Sequence, residues 1–515
     1  MMPRQFGLHP SYTAGPRGFD TGISVHDPLR AGIQHSTART RSPSSKLDIL
    51  FALGLLLSPS SQLRIGGFPI GPGEICLSVW LVLMLGRIAV QRGPVATPAL
   101  SRMVVFWLLF AIALSIGTMT GFALDDQHDP IWFLHDAVAY PFLAAVSCLS
   151  VVGPDVEDRF RRVGRLLIVM GSCSLALQLV HAWGYIGVPN TDPWYWNRFR
   201  GWSANPEQLA LLCVALALLS LHLAETATRL RDRFVAVACA ILPIYVGRFS
   251  HTDTLTIVLL IAVPVFVALK LAIWLRSSER RTLLRPAVAW MVVLALPLIL
   301  ASVAPFMSLS AGRTTTLAEA MLKDNGRDAA QETELRLQLW SQAWQRGIES
   351  GMLGLGPGPH LNIPSSIMAA RAVETQAPKE VVHPAINGTP NFEAHNTPLG
   401  LFTQGGLLAI LSFLWLVGTA LVNAYRAQFA GLATLIGGLF LFGMAGVIDR
   451  QPIFWFAIAS GLVASAKTSR LQQRVVTPPL TARSLRFTAG ARLRPSGQIN
   501  RWRADADTNS GRGLT

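Results

Sequence analysis

The stretch HNTPLGLFTQGGLLAILSFLWLVGTALV, residues 395–422, decides the fold class of this chain. The apolar run after its His-Asn pair is long enough to cross a bilayer as a helix, which takes about twenty residues. The segment before it, 308–396, is polar and irregular. Because a polar segment returns here directly into a membrane helix, we expect chemistry on a water-soluble group to take place at His395 and Asn396.

Apolar runs of similar length recur along the whole chain. Of its 515 residues, 51% are hydrophobic and 14% are charged, and the mean hydropathy is positive, which is typical of a polytopic membrane protein. We therefore predict an all-α fold with about twelve transmembrane helices. The candidate spans lie near 47–63, 75–90, 103–124, 132–152, 165–188, 205–224, 234–248, 253–275, 286–307, 397–422, 428–447 and 452–467.

The placement of arginine predicts the orientation, because cytoplasmic loops retain positive charge. Every second loop is basic, and these loops carry Arg87, Arg92, Arg102, Arg159, Arg161, Arg162, Arg165, Arg229, Arg231, Arg233, Arg276, Arg280, Arg281, Arg285 and Arg426. The alternate loops hold Asp125, Asp126 and Asp129, the aromatic segment 190–204 and the long segment 308–396. We therefore predict that both termini lie in the cytoplasm and that these alternate loops face the periplasm or the cell exterior.

The predicted organisation separates membrane helices from polar parts. The basic tails 1–46 and 468–515 have no apolar periodicity and are predicted to be disordered. Transmembrane helices one to nine occupy 47–307, a periplasmic loop subdomain occupies 308–396, and helices ten to twelve occupy 397–467. The net charge of +15 lies mostly in the tails and cytoplasmic loops, so it indicates topology and contact with membrane lipids, not nucleic-acid binding.

The long outer segment contains a predicted helix followed by a glycine-rich loop. ETELRLQLWSQAWQRGIES, residues 332–350, has the spacing of an amphipathic helix that lies along a membrane surface. GMLGLGPGPH, residues 351–360, ends it, because its four glycines and two prolines cannot continue a helix. His360 and His383 share this segment with His395, but their spacing matches no metal-ligand pattern. We therefore predict neither a metal site nor a cofactor.

A second outer segment, PWYWNRFRGWSANPEQLA at 193–210, carries two arginines. As part of an aromatic belt, Arg198 and Arg200 would be interface anchors. Positive charge is selected against on the outer side, however, and Asn-Pro marks a helix start. The segment therefore equally fits an anion site at the mouth of span six, where the helix N-terminus adds partial positive charge.

Both outer segments together resemble the O-antigen ligase and polysaccharide polymerase family. RFRGWSANPEQLA is similar to the family motif Arg-x-x-Gly-x-x-x-Asn-Pro, and the later run to Arg-x-x-x-Trp, Gly-x-Gly-x-Gly and His-Asn-x9-Gly. The matching residues are Arg198, Gly201, Asn205, Pro206, Arg336, Trp340, Gly354, Gly356, Gly358, His395, Asn396 and Gly406. The resemblance covers roughly 47–467 and leaves out both tails.

The chain departs from the family pattern in places. Glu207 stands where the family usually has a second Asn after Asn-Pro. Three positions after the final glycine, where Gly, Thr or Tyr is preferred, the chain has Ala409. At the outer end of span seven the family usually reads Ser-Arg-Gly, whereas this chain reads GRFS at 247–250. Arg248 is therefore a weaker transfer from the family than Arg198 or Arg336.

The resemblance implies a membrane glycosyltransferase with an inverting, metal-independent reaction on the outer face of the inner membrane. A glycan would move from an undecaprenyl-diphosphate carrier to a hydroxyl of a saccharide, lipid A-core or protein acceptor. Arginine suits the diphosphate because guanidinium is planar and always charged, and histidine suits the base because its pKa lies near the working pH. The implied residues are His395 as catalyst, Arg198, Arg336, Arg248 and Arg200 on the diphosphate, and Gly201, Asn205 and Asn396 in support.

The sequence leaves alternatives open for the roles of Arg336 and Asp449-Arg450 and for the function. Arg336 would also suit a pair with Glu332 or Glu334 on its own helix, and Asp449-Arg450 would suit either a structural ion pair or the wall of a cavity. A polysaccharide or lipid-linked sugar transporter is the alternative function, but the long insertion after span nine favours an enzyme. Polymerase and ligase differ only in the acceptor, which the residues do not separate.

Overall fold

The computed structural model describes residues 44–476 apart from 65–69, 91–96, 125, 127–129, 154, 196–197, 277–324 and 363–391. Helices dominate these residues, with a short 3₁₀ turn at Ser61–Leu63 and an antiparallel pair of strands, β1 (Trp194–Tyr195) and β2 (Arg198–Phe199). The helices are α1 (Ser44–Leu57), α2 (Pro72–Val90), α3 (Pro98–Ala123), α4 (Pro130–Ser150), α5 (Val156–Ala182), α6 (Pro206–Thr226), α7 (Leu230–Phe249), α8 (Asp253–Arg276), α9 (Asn325–Glu349), α10 (Thr397–Arg426), α11 (Ala430–Gly443) and α12 (Pro452–Val476).

Most of these helices have the length and composition of membrane spans. Among the described residues, seven helices are long and apolar enough to cross a membrane: α2, α3, α4, α5, α6, α8 and α10. Shorter apolar helices lie at Ala430–Gly443 and Pro452–Ala464. The chain is therefore a polytopic, mostly helical membrane protein. Every predicted span except 286–307 overlaps a described helix, and that span lies outside the described residues, so the total of twelve stays a prediction.

Helix α6 lies in the interior of the bundle, and α11 packs against both α6 and α10. Helix α6 is almost entirely buried and contacts α5, α7 and α11, while α10 contacts α3, α9, α11 and α12. Aromatic side chains fill the space beside α10: the rings of Phe413 and Phe454 are 5.7 Å apart, and those of Phe106 and Trp455 are 5.3 Å apart. Such contacts stabilise the bundle by packing, since lipid supplies little hydrophobic driving force.

Helices α6 and α10 both begin at a capped N-terminus. The side chain of Asn205 accepts a hydrogen bond from Gln208 N at 2.8 Å at the start of α6, and Asn396 accepts one from Leu399 N at 3.1 Å at the start of α10. A proline follows each cap within the first helical turn, where its missing N–H is not needed. These two helix starts frame the candidate site.

Helix α10 is interrupted at Gly406, which the sequence analysis did not predict. Gly406 has φ 62° and ψ −156°, and a Cβ built there would lie 2.1 Å from the carbonyl oxygen of Met352. The glycine loop, residues 351–358, packs against this break. Its N–H groups at Leu355 and Gly356 donate 2.8 Å hydrogen bonds to helix carbonyls, so the loop supplies donors where the helix cannot.

The helix predicted at 332–350 is confirmed as part of α9, and the predicted stop after it is confirmed as well. The four glycines of the loop all have positive φ angles: Gly351, Gly354, Gly356 and Gly358. Leu335, Leu339 and Ala343 of α9 are buried together with Leu361 and Ala394. Within the predicted subdomain 308–396, the structure describes only 325–362 and 392–396, and its periplasmic position stays a prediction. Helix α12 continues past the predicted end at 467.

Candidate active site

A single carboxylate joins two of the predicted site residues. Glu207, in the first turn of α6, accepts a hydrogen bond through Oε1 from Arg336 Nη2 of α9 at 2.9 Å. Its other oxygen, Oε2, lies 3.7 Å from Nδ1 of His395, directly before the N-cap of α10. Three separate parts of the chain therefore meet at the N-terminus of α6. Arg336 thus forms an ion pair across the fold with Glu207.

The backbone holds His395 in an uncommon conformation. Its φ is +46°, in the left-handed region that few non-glycine residues adopt, although histidine is enriched among them. On one side Trp340 Nε1 donates a 3.0 Å hydrogen bond to the carbonyl of Ala394. On the other side the Nδ2 of Asn396 donates a 2.8 Å hydrogen bond to the carbonyl of Met444. The imidazole is thus fixed at its backbone, yet its side chain stays 34% exposed.

The surroundings of His395 favour its protonated form. Burial alone lowers the pKa of the imidazole. The negative charges of Glu207, whose Oε2 lies 3.7 Å from the imidazole, and of Glu393 outweigh burial and raise the pKa of His395 above its ordinary value, while Arg336 acts in the opposite direction. An imidazole in this setting accepts a proton readily, which is what a base must do.

The short hairpin carries Arg198 and Arg200 next to the start of α6. Arg198 Nε and Nη2 donate 3.1 Å hydrogen bonds to the carbonyls of Ser250 and His251, just after α7. Arg200 Nε donates to the carbonyl of Asp192 at 3.0 Å, within its own segment. In this structure both arginines therefore fasten the hairpin. The charge of Arg198 also acts on Glu207, which places it at the edge of the site.

The remaining predicted site residues shape the backbone around the site. Arg248 lies half-buried in the last turn of α7, and its carbonyl accepts a 3.1 Å hydrogen bond from the N–H of His251. Gly201 has φ +56°, and a Cβ there would lie 2.0 Å from Oε1 of Gln178. Asn205 and Asn396 cap α6 and α10. Gly201, Asn205 and Asn396 thus set the geometry of the helix starts.

A second polar cluster lies against the start of α10 and joins it to α4. Arg450 Nη2 contacts Asp136 Oδ2 at 2.6 Å, and Arg450 Nη1 contacts Glu393 Oε1 at 2.5 Å. The ion-pair partners of Arg450 are therefore Asp136 and Glu393, which lie in other parts of the chain. Glu393, Asn396, Gln404, Asp449 and Arg450 also line a small cavity beside His360. Arg450 thus takes part in structural ion pairs, and both Asp449 and Arg450 form part of the wall of a cavity.

The hydroxyl of Tyr140 links the two sides of this cluster. It lies 2.8 Å from Gln404 Oε1 and 2.9 Å from Asp449 Oδ2. A phenol carries one hydrogen, so a protonated Asp449 would supply the hydrogen for the second contact. Burial raises the pKa of Asp449 to about 6, with Arg450 lowering it and Glu393 raising it further. The cluster can therefore hold a proton near neutral pH.

His360 occupies a structural position under the glycine loop. Its side chain is fully buried, with Nδ1 3.1 Å from Asp126 Oδ2 and Nε2 2.8 Å from the carbonyl oxygen of Gly356. Arg346 Nη1 lies 3.6 Å from the same carboxylate. His383 lies outside the described residues. Within the part of the chain that the structure describes, no three His, Cys, Asp or Glu side chains are grouped to hold a metal ion.

Sequence reasoning did not identify Glu207 as a site residue, although a signal existed. A carboxylate directly after Asn-Pro, at a helix start beside two arginines, is an unusual choice for a position that the resembling family usually fills with Asn. Asp136, Tyr140 and Glu393 carry no comparable signal. Their contacts join residues far apart in sequence, so only the folded chain shows them.

Residues 238–414 match the family model described as O-antigen ligase, which confirms the resemblance inferred from the motifs. The matched segment includes Arg248, Arg336 and His395 and indicates a glycosyl-transferring membrane protein. The first motif, at 198–206, lies outside it, but the adjacent Glu207 contacts Arg336 and His395 within it. No curated protein and no solved structure matches the chain.

Proposed function

We propose that this chain, with its O-antigen ligase match at 238–414, transfers a glycan from an undecaprenyl-diphosphate carrier to an acceptor hydroxyl in surface polysaccharide biosynthesis. One observation carries the proposal: a partly exposed imidazole, His395, and a guanidinium, Arg336, meet at the N-terminus of α6. A base and a cation are the groups needed for an acceptor hydroxyl and a diphosphate leaving group.

The reaction uses His395 as general base. The imidazole takes the proton of the acceptor hydroxyl while the hydroxyl oxygen attacks the anomeric carbon of the glycan. The bond between that carbon and the phosphate oxygen breaks, and undecaprenyl diphosphate leaves with the bonding electrons. Attack opposite the leaving group inverts the anomeric centre. Positioned base catalysis contributes about 10² to 10⁴ in rate.

The diphosphate is held by positive charge at the mouth of α6. Arg336 faces the same Glu207 carboxylate as the base, and the N-terminus of α6 adds its partial positive charge. Arg198 and Arg200 on the hairpin and Arg248 at the end of α7 lie around the same helix start and extend this positive surface. Arginine cations would compensate the developing charge, so the proposed mechanism requires no metal ion.

An experiment in cells separates transfer from transport. Cells that lack the chain should accumulate the lipid-linked glycan on the outer leaflet of the inner membrane, because a transferase acts after the glycan has crossed. Accumulation on the cytoplasmic leaflet would contradict the proposal and indicate a transporter. The end of the product that wild-type cells make, on a saccharide, lipid A-core or protein, identifies the acceptor.

Two arginines of α9 provide a matched pair for the same assay. Arg336→Lys keeps the positive charge but loses the planar guanidinium, so polysaccharide output should fall at least tenfold at unchanged protein level. Arg346→Lys, which changes an arginine beside Asp126, should match wild type. Equal output from both variants would show that Arg336 does not bind the diphosphate.

The proposed side of the reaction is tested by topology. Reporter fusions after residues 90, 160, 230, 280 and 480 should give a cytoplasmic signal, and fusions near 127, 195 and 370 a periplasmic one. A cytoplasmic signal at 370 would place the site on the wrong side of the membrane for this reaction.

A further inference from the structure

Glu207 differs from the other carboxylates near the site because it faces both functional groups at once. One oxygen bonds Arg336, and the other lies 3.7 Å from Nδ1 of His395. The side chain starts from the first turn of α6, whose cap and preceding hairpin are both fixed by hydrogen bonds. Its position is therefore set by the rigid part of the fold.

We propose that Glu207 is a positioning residue, which turns His395 so that Nδ1–H faces the carboxylate and Nε2 receives the proton of the acceptor hydroxyl. This inference rests on the proposed glycosyl transfer. Glu207 acts through His395 and does not itself touch the substrate.

The protons balance in this arrangement. Before the reaction, Nδ1 carries the hydrogen and Nε2 carries a free electron pair. During attack the acceptor proton moves to Nε2, so that an imidazolium faces the ionised Glu207. The carboxylate keeps its charge throughout and stabilises the cation that forms beside it. The separation of 3.7 Å is that of an ion pair, and such contacts shorten when substrate closes the site.

Charged groups around His395 leave Glu207 as the partner of Nδ1. Arg336 from α9 is a cation and already shares the Glu207 carboxylate. Glu393, from the segment before His395, has its own cation in Arg450 at 2.5 Å. Glu207 from α6 is thus the carboxylate within ion-pair distance of the imidazole among the described residues. A neutral Asn at this position, as in the resembling family pattern, would not provide the negative charge.

The test compares Glu207→Gln with wild type as full-length protein in lipid nanodiscs. Undecaprenyl-diphosphate glycan and acceptor are extracted from cells that lack the chain. The variant keeps the size and shape of the side chain but loses the charge, so kcat should fall by about ten- to a hundredfold. The control Glu334→Gln removes an exposed carboxylate from α9 and should keep the wild-type rate.

The pH profile distinguishes positioning from a structural role. In wild type the carboxylate raises the pKa of His395, so the acidic limb of kcat/KM lies at higher pH. Glu207→Gln should move that limb to lower pH when rates are measured from about pH 5 to about pH 9. A uniform fall at every pH, or a rise in KM for the lipid-linked glycan with an unmoved limb, would overturn the inference.

A double variant separates this inference from the proposed function. If Glu207 acts through His395, adding Glu207→Gln to His395→Ala should change the residual kcat less than twofold, because the two residues work as one unit. A further large fall in the double variant would overturn the inference and leave the proposed function intact. Full activity in His395→Ala alone would instead remove the proposed function.

Discussion

The N–H of Gly356 donates a 2.8 Å hydrogen bond to the carbonyl of Gln404, and this bond joins the glycine loop to the break in α10. The side-chain Oε1 of Gln404 lies 2.8 Å from the hydroxyl of Tyr140. Through Gln404, the glycine loop after α9 is connected to the polar cluster beside the start of α10. Helix α9 carries Arg336, and His395 lies directly before α10. The glycine motifs act here through the backbone.

Gly406→Ala should destabilise the protein, because a Cβ would lie 2.1 Å from the Met352 carbonyl and φ is +62°. We expect a loss of about 1–3 kcal/mol or more in the free energy of unfolding. The matched control is Gly418→Ala in the same helix, where a Cβ meets nothing within 4 Å. Thermal unfolding of purified protein in detergent measures both. If Gly406→Ala and Gly418→Ala had equal melting temperatures, the break at Gly406 would not require glycine.

Asp449→Asn should change the pH dependence of stability. Burial raises the pKa of Asp449 to about 6, so its contribution is fully present below the unfolded pKa and is lost as pH rises through about 6. Asparagine stays neutral, so the free energy of unfolding of the variant should gain on that of wild type between pH 5 and pH 8, by on the order of 1–2 kcal/mol.

The control for this titration is Asp158→Asn, which changes an exposed carboxylate in the first turn of α5. Its difference from wild type should stay constant over the same pH range. If the Asp449→Asn difference also stayed constant, Asp449 would not be the group that holds a proton in the cluster.

Trp340→Phe should lower the transfer rate more than it lowers stability. The indole of Trp340 donates a 3.0 Å hydrogen bond to the carbonyl before His395, and phenylalanine cannot donate it. One such bond corresponds to about a five- to tenfold loss in rate. Trp344→Phe is the control, because Trp344 lies one helical turn after Trp340 and its ring packs on Phe402. A Trp340→Phe variant as active as the control would exclude a positioning role for the indole.

Helices and their limits could be predicted from sequence because their signals are local. Span length and hydropathy, together with the Asn-Pro start of α6, placed α6 and α10 within a few residues of their positions in the structure. The stop after α9 followed from glycine and proline chemistry in the same way. The residues at the start of α10 and the arginine of α9 were found through motifs whose order matched a family.

Contacts between distant parts of the chain could not be predicted. Glu207 meets Arg336 and His395 only because α6, α9 and α10 converge, and a single sequence carries no record of that convergence. The break at Gly406 was missed because its apolar surroundings continue the pattern of a membrane helix. It forms because loop N–H groups satisfy the carbonyls that the break exposes.

The central claim is that His395 is the base for glycan transfer. The most direct measurement is transfer from extracted undecaprenyl-diphosphate glycan by purified full-length protein, wild type against His395→Ala, with and without a metal chelator. Wild type should transfer at the same rate with and without the chelator, and His395→Ala should lose about 10² or more in rate while it folds and accumulates normally. Wild-type transfer by His395→Ala, or loss of wild-type activity in the chelator, would contradict the account.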